Sequence, residues 1–288
     1  MRRYQDIGEL LIDYRKINGM SQSDFANLLD VDVRTIHRWE NGSTLIKPEK
    51  EGDLVRVTHL PHQLIRNLNA SYPIETSYDF SLRKYAMNRL NVKLPSASWF
   101  KAHMDQATHR IRKFDHETDI DYLEKYMQFH KRINRNLSEV IKESSRLLPE
   151  MNLIITDDSG YYSGHSLIFP ISESAYLRLR SRDMNESELT LDDLAAPVAG
   201  KHRIYYGFDI TADCNDNMFF LIGQLFRVIR DDPEQDYLYC ATPMRTDNFE
   251  LNKEIGLEII WEGEPGVNQF GLEIAPRFQE GNFKDFLK

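Results

Sequence analysis

The sequence predicts two structural classes in one chain: an all-α N-terminal domain of five helices over residues 1–70, then a mixed α/β domain over residues 109–288. Up to Asn69, apolar residues recur three and four positions apart, which is helical spacing. From His109 onward, short apolar runs typical of strands alternate with helical segments. The chain has 288 residues, of which 41% are hydrophobic, so each part is long enough to bury its own core.

The N-terminal domain opens with a helix that we predict from Ile7 to Asn18, ended by Gly19. Its fourth and fifth helices begin at Pro48 and Pro61, because proline fits the first turn of a helix. The residues of these helices predicted to face the core are Leu10, Leu11, Tyr14, Leu64, Ile65 and Leu68.

The second and third helices lie within residues 21–42, SQSDFANLLDVDVRTIHRWENG. Ser21 is a good N-cap with Asp24 three residues later, in a capping-box arrangement. Asp32 is suited to cap the third helix, and Gly42 supplies a common helix stop. The residues predicted to point inward are Phe25, Leu28, Leu29, Ile36 and Trp39.

The opposite face of the third helix carries Val33, Arg34, His37 and Arg38. A short cationic helix of this kind fits the major groove of DNA, where each arginine–guanine pair contributes roughly 1–3 kcal/mol of discrimination. Two simpler alternatives remain at this point. His37 can be a solvent-facing spacer, and the whole segment can be a helical hairpin without a nucleic-acid role.

Residues 5–70 resemble the Cro/C1-type (xenobiotic-response-element) helix-turn-helix family of repressors. The matching residues are Gln22, Ala26, Ile36, Trp39, Glu40, Asn41 and Gly42. The resemblance implies that Gln22 and Asn41 contact DNA phosphate and that Val33, Arg34 and Arg38 read bases. One departure is the turn Asp30-Val31-Asp32, whose two acids are expected to weaken non-specific binding.

Charge is distributed unevenly along the chain. The net charge is −9, and residues 1–70 hold 10 basic and 10 acidic side chains, whereas residues 151–288 hold 12 basic and 24 acidic ones. We therefore expect specific DNA binding with little general affinity.

Cys214 and Cys240 are too few for a disulfide framework or a zinc site and are expected to be buried free thiols. With no apolar run near the ~20 residues that span a bilayer, the sequence predicts a cytoplasmic protein with no membrane partner.

After a connector at residues 71–108, the α/β domain is predicted to contain strands and helices in a defined order. The predicted strands are 110–114, 153–156, 166–171, 203–211, 237–242, 257–261 and 270–274, and the predicted helices are 118–135, 137–148, 173–182, 218–229 and 248–254.

This order resembles the GCN5-related N-acetyltransferase fold over residues 109–278, and the run Leu251–Leu257 is similar to the end of a helix in that family. The resemblance implies an acetyl-CoA site, but two departures oppose it. Residues 212–217 lack the glycines of the pyrophosphate turn and contain Asp213 and Asp216. Asn252 stands where the family often has a tyrosine that acts as a general acid, and asparagine cannot donate a proton to the leaving thiolate. We therefore predict no cofactor and no catalytic residues, and expect this acetyltransferase-like domain to sense an effector or hold a dimer.

Other clusters of polar residues have simpler interpretations. Ser163 does not fit a nucleophile elbow and is predicted to lie in a surface turn. Asp209, Asp213 and Asp216 lack the ligand pattern of a calcium loop and are interpreted as a solvated loop. Glu258, Glu262 and Glu264 are expected on a wet strand face. The nine histidines show no metal-ligand spacing, so no metal site is predicted.

The sequence as a whole predicts a homodimeric transcription regulator that binds a double-stranded DNA operator and a small-molecule effector. Two alternatives from other classes remain. An acyl-CoA-dependent N-acyltransferase carrying a DNA-binding head would bind acetyl-CoA in a calorimetric titration. An antitoxin-like interaction module would co-purify with a stoichiometric protein partner.

Overall fold

The computed structural model describes residues 1–87, 95–131, 136–198, 200–232, 236–243, 249–267 and 273–288. The chain divides into two compact units. Unit 1 comprises Met1–Val92, Asp157–Ser163 and Asp213–Asn215, and unit 2 comprises Lys93–Thr156, Gly164–Ala212 and Asp216–Lys288.

The five helices predicted for the N-terminal domain are confirmed in unit 1. They are α1 (Ile7–Ile17), α2 (Gln22–Leu28), α3 (Val33–Glu40), α4 (Pro48–Thr58) and α5 (His62–Leu68). Of the side chains predicted to point inward, only Leu28 does not, with 44% of its surface exposed. Phe25 and Leu29 are four residues apart and form the buried stripe of this two-turn helix, whereas Leu28 is turned about 100° away from Leu29.

Besides its five helices, unit 1 contains a small antiparallel sheet, whereas the sequence predicted helices alone. Strands β1 (Arg2–Tyr4), β2 (Thr76–Asp79) and β3 (Lys84–Ala86) pair in that order. The prediction missed them because three- and four-residue strands carry little periodicity and because β1 pairs with a segment distant in sequence. Residues 71–87 are therefore part of unit 1 and not of a separate connector.

A turn from the second half of the chain completes unit 1. Residues 157–160 form a turn closed by a hydrogen bond from the Gly160 amide to the Asp157 carbonyl at 3.0 Å, with Gly160 at φ +84°. The Asp157 carboxylate accepts hydrogen bonds from the amides of Ser159 and Tyr161, each at 2.9 Å. It also lies 2.7 Å from Nδ1 of the buried His62, whose ring stacks on Tyr161 with the centroids 4.0 Å apart. These contacts hold the turn against α5.

Unit 2 follows the predicted order of elements from residue 109. Its elements are α6 (Ala97–His103), β4 (Ile111–Lys113), α7 (Asp119–Lys131), α8 (Asn136–Leu147), β5 (Leu153–Thr156), β6 (Tyr162–Ile171), α9 (Glu173–Ser181), β7 (Arg203–Ala212), α10 (Asn215–Arg230), β8 (Tyr237–Ala241), α11 (Phe249–Glu254), β9 (Leu257–Glu262), β10 (Gly266–Val267), β11 (Glu273–Ile274), β12 (Arg277–Gly281) and α12 (Lys284–Leu287). The first residues of β6 and α10 belong to unit 1. The predicted α/β class is thus confirmed.

Seven strands form one sheet in the order β4-β5-β6-β7-β8-β12-β9. β7 and β8 pair in parallel, and α10 provides the crossover between them. β12 lies between β8 and β9 and is antiparallel to both. Against this sheet packs an apolar cluster that includes Phe100, Phe219, Phe226, Tyr239 and Phe283.

The last strand of this sheet was predicted at the wrong place. Within residues 270–274, the described part is β11, which pairs with β10 in a separate two-stranded ribbon, and residues 270–272 lie outside the described residues. The sheet strand is β12, whose pairing with β9 shifts register between Phe278 and Gln279. Both residues are buried, at 0% and 1% exposure, so this strand does not alternate as a sequence pattern requires.

Candidate nucleic-acid interface

Helix α3 is fixed in place from its buried side. The Asp32 side chain accepts the Arg34 amide at 2.7 Å and so caps the helix, as predicted. Ile36 and Trp39 are 0% and 5% exposed. On α1, a Cβ added at Gly8 would lie only 2.4 Å from the Glu40 carbonyl oxygen. Glycine at position 8 therefore permits α1 to pack directly on the backbone of α3.

A polar network joins the end of α3 to α1 and to the start of α2. Arg15 donates to both carboxylate oxygens of Glu40, with Nη2 2.9 Å from Oε2, and to the carbonyl of Met20 at 3.0 Å. Gln22 Nε2 donates to the same Oε2 at 2.7 Å. The hydrogen bond to Glu40 raises the pKa of Arg15 above its ordinary value. The network orients Gln22, the residue for which the sequence predicts a phosphate contact.

The residues predicted to read bases are brought together on the outer face of α3. Val33 is 43% exposed, and Arg34, His37 and Arg38 are exposed as well. Among the described residues, the hydrogen-bond partner of Arg38 Nη2 is the Thr35 hydroxyl, at a long 3.4 Å. Two of these side chains are thus arginines on one solvent-facing helix surface, an arrangement that can place guanidinium groups against base edges.

Asn41, the other predicted phosphate contact, is the C-cap of α3. Its Oδ1 accepts the Ser43 amide at 3.0 Å, and its Nδ2 lies 3.3 Å from Nδ1 of His37. His37 therefore has a neighbour that can hold its ring in place. Both interpretations of His37, base contact and solvent-facing spacer, are compatible with this contact, and its part in base recognition stays a prediction.

The turn between α2 and α3 places its two acids in different environments. Asp30 is exposed and adopts φ +51°, in the left-handed region that favours glycine. Asp32 has its carboxylate committed to the helix cap. Both side chains are exposed, and a hydrogen bond from an amide does not neutralise a carboxylate, so both acids can repel phosphate.

The sequence predicts no role for Arg15, and the family resemblance of Glu40 implies none for that residue. Their side chains are 14% and 6% exposed, so their ion pair is largely removed from solvent. The two residues belong to different helices, and no local spacing signals that they meet. The sequence shows only that Arg15 is basic, that Glu40 is acidic, and that each lies beside the apolar stripe of its helix.

The loop at residues 212–217 does not fit an acetyl-CoA pyrophosphate. Asp213 is 1% exposed, its amide donates to the Ser163 carbonyl at 2.8 Å, and its carbonyl accepts the Tyr85 amide at 2.7 Å. An anion would need that amide to be free and would meet a buried carboxylate beside it. Asn252 donates through Nδ2 to Gln279 at 2.7 Å, a contact that ties α11 to β12.

Two predictions about polar residues in this region are wrong. Ser163 lies in β6 and is 1% exposed, because its strand is covered, so it is not in a surface turn. Asp209 and Asp213 are 7% and 1% exposed and do not form a solvated loop; Asp209 lies in β7, with one carboxylate oxygen 3.3 Å from Nε2 of His165.

The remaining predictions about chemistry concern thiols, acids and metals. Cys240 is fully buried, and burial raises the pKa of its thiol well above the ordinary value, whereas Cys214 is only half-buried. Glu258, Glu262 and Glu264 are exposed, as expected. Within the described ranges, no three His, Cys, Asp or Glu side chains are grouped to hold a metal ion. Every helix in the described part of the chain is too short or too polar to cross a bilayer.

Residues 11–62 match the helix-turn-helix family, a segment that runs from within α1 to the first residue of α5. The match agrees with the Cro/C1-type resemblance of this part of the chain and supports DNA binding by a regulator. No curated protein matches the chain by sequence.

Several solved structures are similar to the chain at low identity. Naa20 of Chaetomium thermophilum, in complex with a bisubstrate analogue, is 12% identical with a TM-score of 0.39, and the match covers 61% of this chain and 87% of that one. A histone acetyltransferase HPA2-related protein of Corynebacterium glutamicum is 12% identical with a TM-score of 0.32, covering 59% and 93%. Arylalkylamine N-acetyltransferase 2 of Aedes aegypti is 8% identical with a TM-score of 0.33, covering 66% and 97%.

Proposed function

We propose that this protein is a sequence-specific DNA-binding transcription regulator that inserts α3 into the major groove of an operator. One observation carries the proposal. The exposed face of α3 presents Val33, Arg34, His37 and Arg38, while its opposite face is buried. Glu40, the last residue of α3, is held by hydrogen bonds from Arg15 on α1. A rigid helix with free arginines is what base discrimination requires.

In this proposal Arg34, Arg38 and Val33 contact base edges, with His37 beside them. Gln22 and Asn41 set the register on the phosphate backbone. The exposed methyl groups of Val33 suit apolar contact with a thymine methyl. The acidity of residues 151–288 keeps general affinity for DNA low.

The first experiment selects genomic fragments bound by the purified chain and then measures affinity for the selected site. We expect the Arg34→Ala, Arg38→Ala double variant to lose about 2–6 kcal/mol of binding, the sum of two arginine–base pairs. Its unfolding free energy should stay within about 0.5 kcal/mol, because both side chains are exposed. Arg56→Ala, which removes a 70%-exposed arginine from α4, is the matched control and should bind normally. Unchanged operator affinity in the double variant would rule out this site.

We further propose that the protein acts as a cytoplasmic homodimer and that unit 2 supplies dimerisation, effector sensing or both. A single small head contacts one half-site, and two half-sites give the affinity that specific control needs. Sedimentation velocity on the free chain and on its operator complex tests this. Two copies on a palindromic site support the proposal, and one copy on one half-site contradicts it.

A further inference from the structure

Unit 2 contains a recess where β7 begins and α10 ends. Met151, Val228 and Ile229 supply its apolar wall, while Arg203 and Asp232 lie at its polar side. About 300 Å³ of the recess is free of protein atoms, part of it open to solvent. Because this space includes open solvent, the enclosed part is smaller, and only a small ligand that stays partly exposed fits.

In the described part of the chain, the guanidinium of Arg203 makes few hydrogen bonds and only long ones. Its Nε is buried without a hydrogen-bond partner among the described residues. Its Nη1 makes two long contacts, at 3.4 Å to the Tyr205 hydroxyl and at 3.5 Å to Asp232. A guanidinium has five donors, and leaving a buried donor unpaired is destabilising. The Arg203 side chain is 21% exposed, so a carboxylate in the recess would pair with the accessible part of its guanidinium.

The neighbouring groups set the charge that a ligand must carry. The Asp232 carboxylate is 54% exposed, which leaves room for a cation beside it. Burial raises the pKa of Tyr237 to about 12, so this lining residue stays protonated, and its oxygen already accepts the Phe283 amide at 2.8 Å. Its hydroxyl proton can therefore be donated to a ligand. A dianion such as phosphate is disfavoured, because Asp232 would repel it.

We propose that this recess binds a small aliphatic α-amino acid. The ligand's carboxylate pairs with Arg203, its ammonium group pairs with Asp232, and its side chain packs on Met151, Val228 and Ile229. The inference rests on the proposed function in that such a ligand would be the effector. β7 and α10 both lead from the recess to Asp213–Asn215, which are residues of unit 1.

The experiment titrates the full-length chain, without DNA, with L-leucine and L-valine in a calorimeter. Isovalerate, which lacks the ammonium group, and isobutylamine, which lacks the carboxylate, are the matched probes. We expect an amino acid to bind at least tenfold more tightly than either probe. Arg203→Met should weaken amino-acid binding at least tenfold, while Arg146→Met, which removes a 66%-exposed arginine from α8, should not.

Asp232→Asn keeps the test decisive if the Arg203 variant folds poorly, because Asp232 is largely exposed. It should weaken valine binding while leaving isovalerate binding unchanged. Absence of amino-acid binding at 10 mM, on the order of the weakest useful affinity, would overturn the proposal. Equal binding of valine and isovalerate would overturn it as well. Since no DNA is present, either failure leaves the proposed operator binding untouched, and a failure of operator binding leaves this result standing.

Discussion

Gly8 determines how closely α1 approaches the end of α3. Any side chain there would collide with the carbonyl groups of Trp39 and Glu40, at 3.0 and 2.4 Å, and backbone atoms cannot swing aside as a flexible side chain can. The exposed face of α3, for which we propose base contacts, therefore depends for its position partly on a residue on another helix.

Gly8→Ala should lower the free energy of unfolding by about 1–3 kcal/mol, the usual cost of forcing atoms into a packed contact. It should also weaken operator binding, because α3 must shift to relieve the collision. Gly266→Ala is the control, since a Cβ at that position meets nothing within 4 Å. Chemical denaturation of both variants measures the effect, and equal stability would show that α1 and α3 separate at little cost.

Asp30 combines backbone strain with unfavourable charge. An L-residue in the left-handed region costs roughly 1–2 kcal/mol, and glycine avoids that cost but loses about 0.5–1 kcal/mol of chain entropy. Asp30→Gly should therefore stabilise the fold by at most about 1.5 kcal/mol and increase non-specific DNA affinity a few-fold at low salt. Asp30→Asn removes only the charge, so it should reproduce the affinity gain. Competition binding with random-sequence DNA at two salt concentrations separates these effects, and no gain in either variant would mean that Asp30 lies away from phosphate.

Among the elements, those with local signals were predictable and those with distant partners were not. The capping box at Ser21 and Asp24 and the cap at Asp32 are formed by neighbouring residues, and each appears as expected. β1 and the contact between His62 and Asp157 depend on segments far apart in sequence. The exposed site on α3 was predictable because helical periodicity assigns each residue to a face. The Arg15–Glu40 support was not, because it joins two helices.

The turn at Asp157–Ser163 gives unit 1 a defined response to acid. Burial raises the pKa of Asp157, but hydrogen bonds from His62 and from the Tyr161 and Ser159 amides outweigh it and hold the pKa below its ordinary value. A carboxyl whose pKa is lower in the folded state adds stability above its unfolded pKa of about 3.9. That stability is lost as the pH falls through the folded value.

Wild-type protein should therefore lose more stability between pH 5 and pH 3 than Asp157→Asn does. The variant should be about 1–3 kcal/mol less stable at pH 7, since it lacks the charged acceptor. Asp192→Asn, at an exposed aspartate of unit 2, is the control and should follow the wild type. Denaturant unfolding across this pH range measures the difference. Parallel curves for wild type and Asp157→Asn would contradict the assigned pKa direction.

At the scale of the whole molecule, unit 1 is assembled from three stretches of chain. A fragment of residues 1–92 keeps all five helices but loses Asp157 and Tyr161. His62 then lacks a charged hydrogen-bond partner and a stacked ring, together worth about 2–4 kcal/mol. We expect amides of α5 to exchange with solvent faster in the fragment than in the full-length chain. Equal protection of α5 in both would show that the later stretches add nothing to unit 1.

Because unit 1 is built from three separate stretches of the chain, recombination can produce such a protein in fewer ways. A single crossover after residue 92 would transfer the five helices to a new gene but leave behind the turn at 157–163 and the residues at 213–215. The recipient protein would contain the five helices without the contacts of His62 to Asp157 and Tyr161, and another segment would have to replace them. Intact transfer requires both halves together, so the regulator's two units are expected to be inherited jointly.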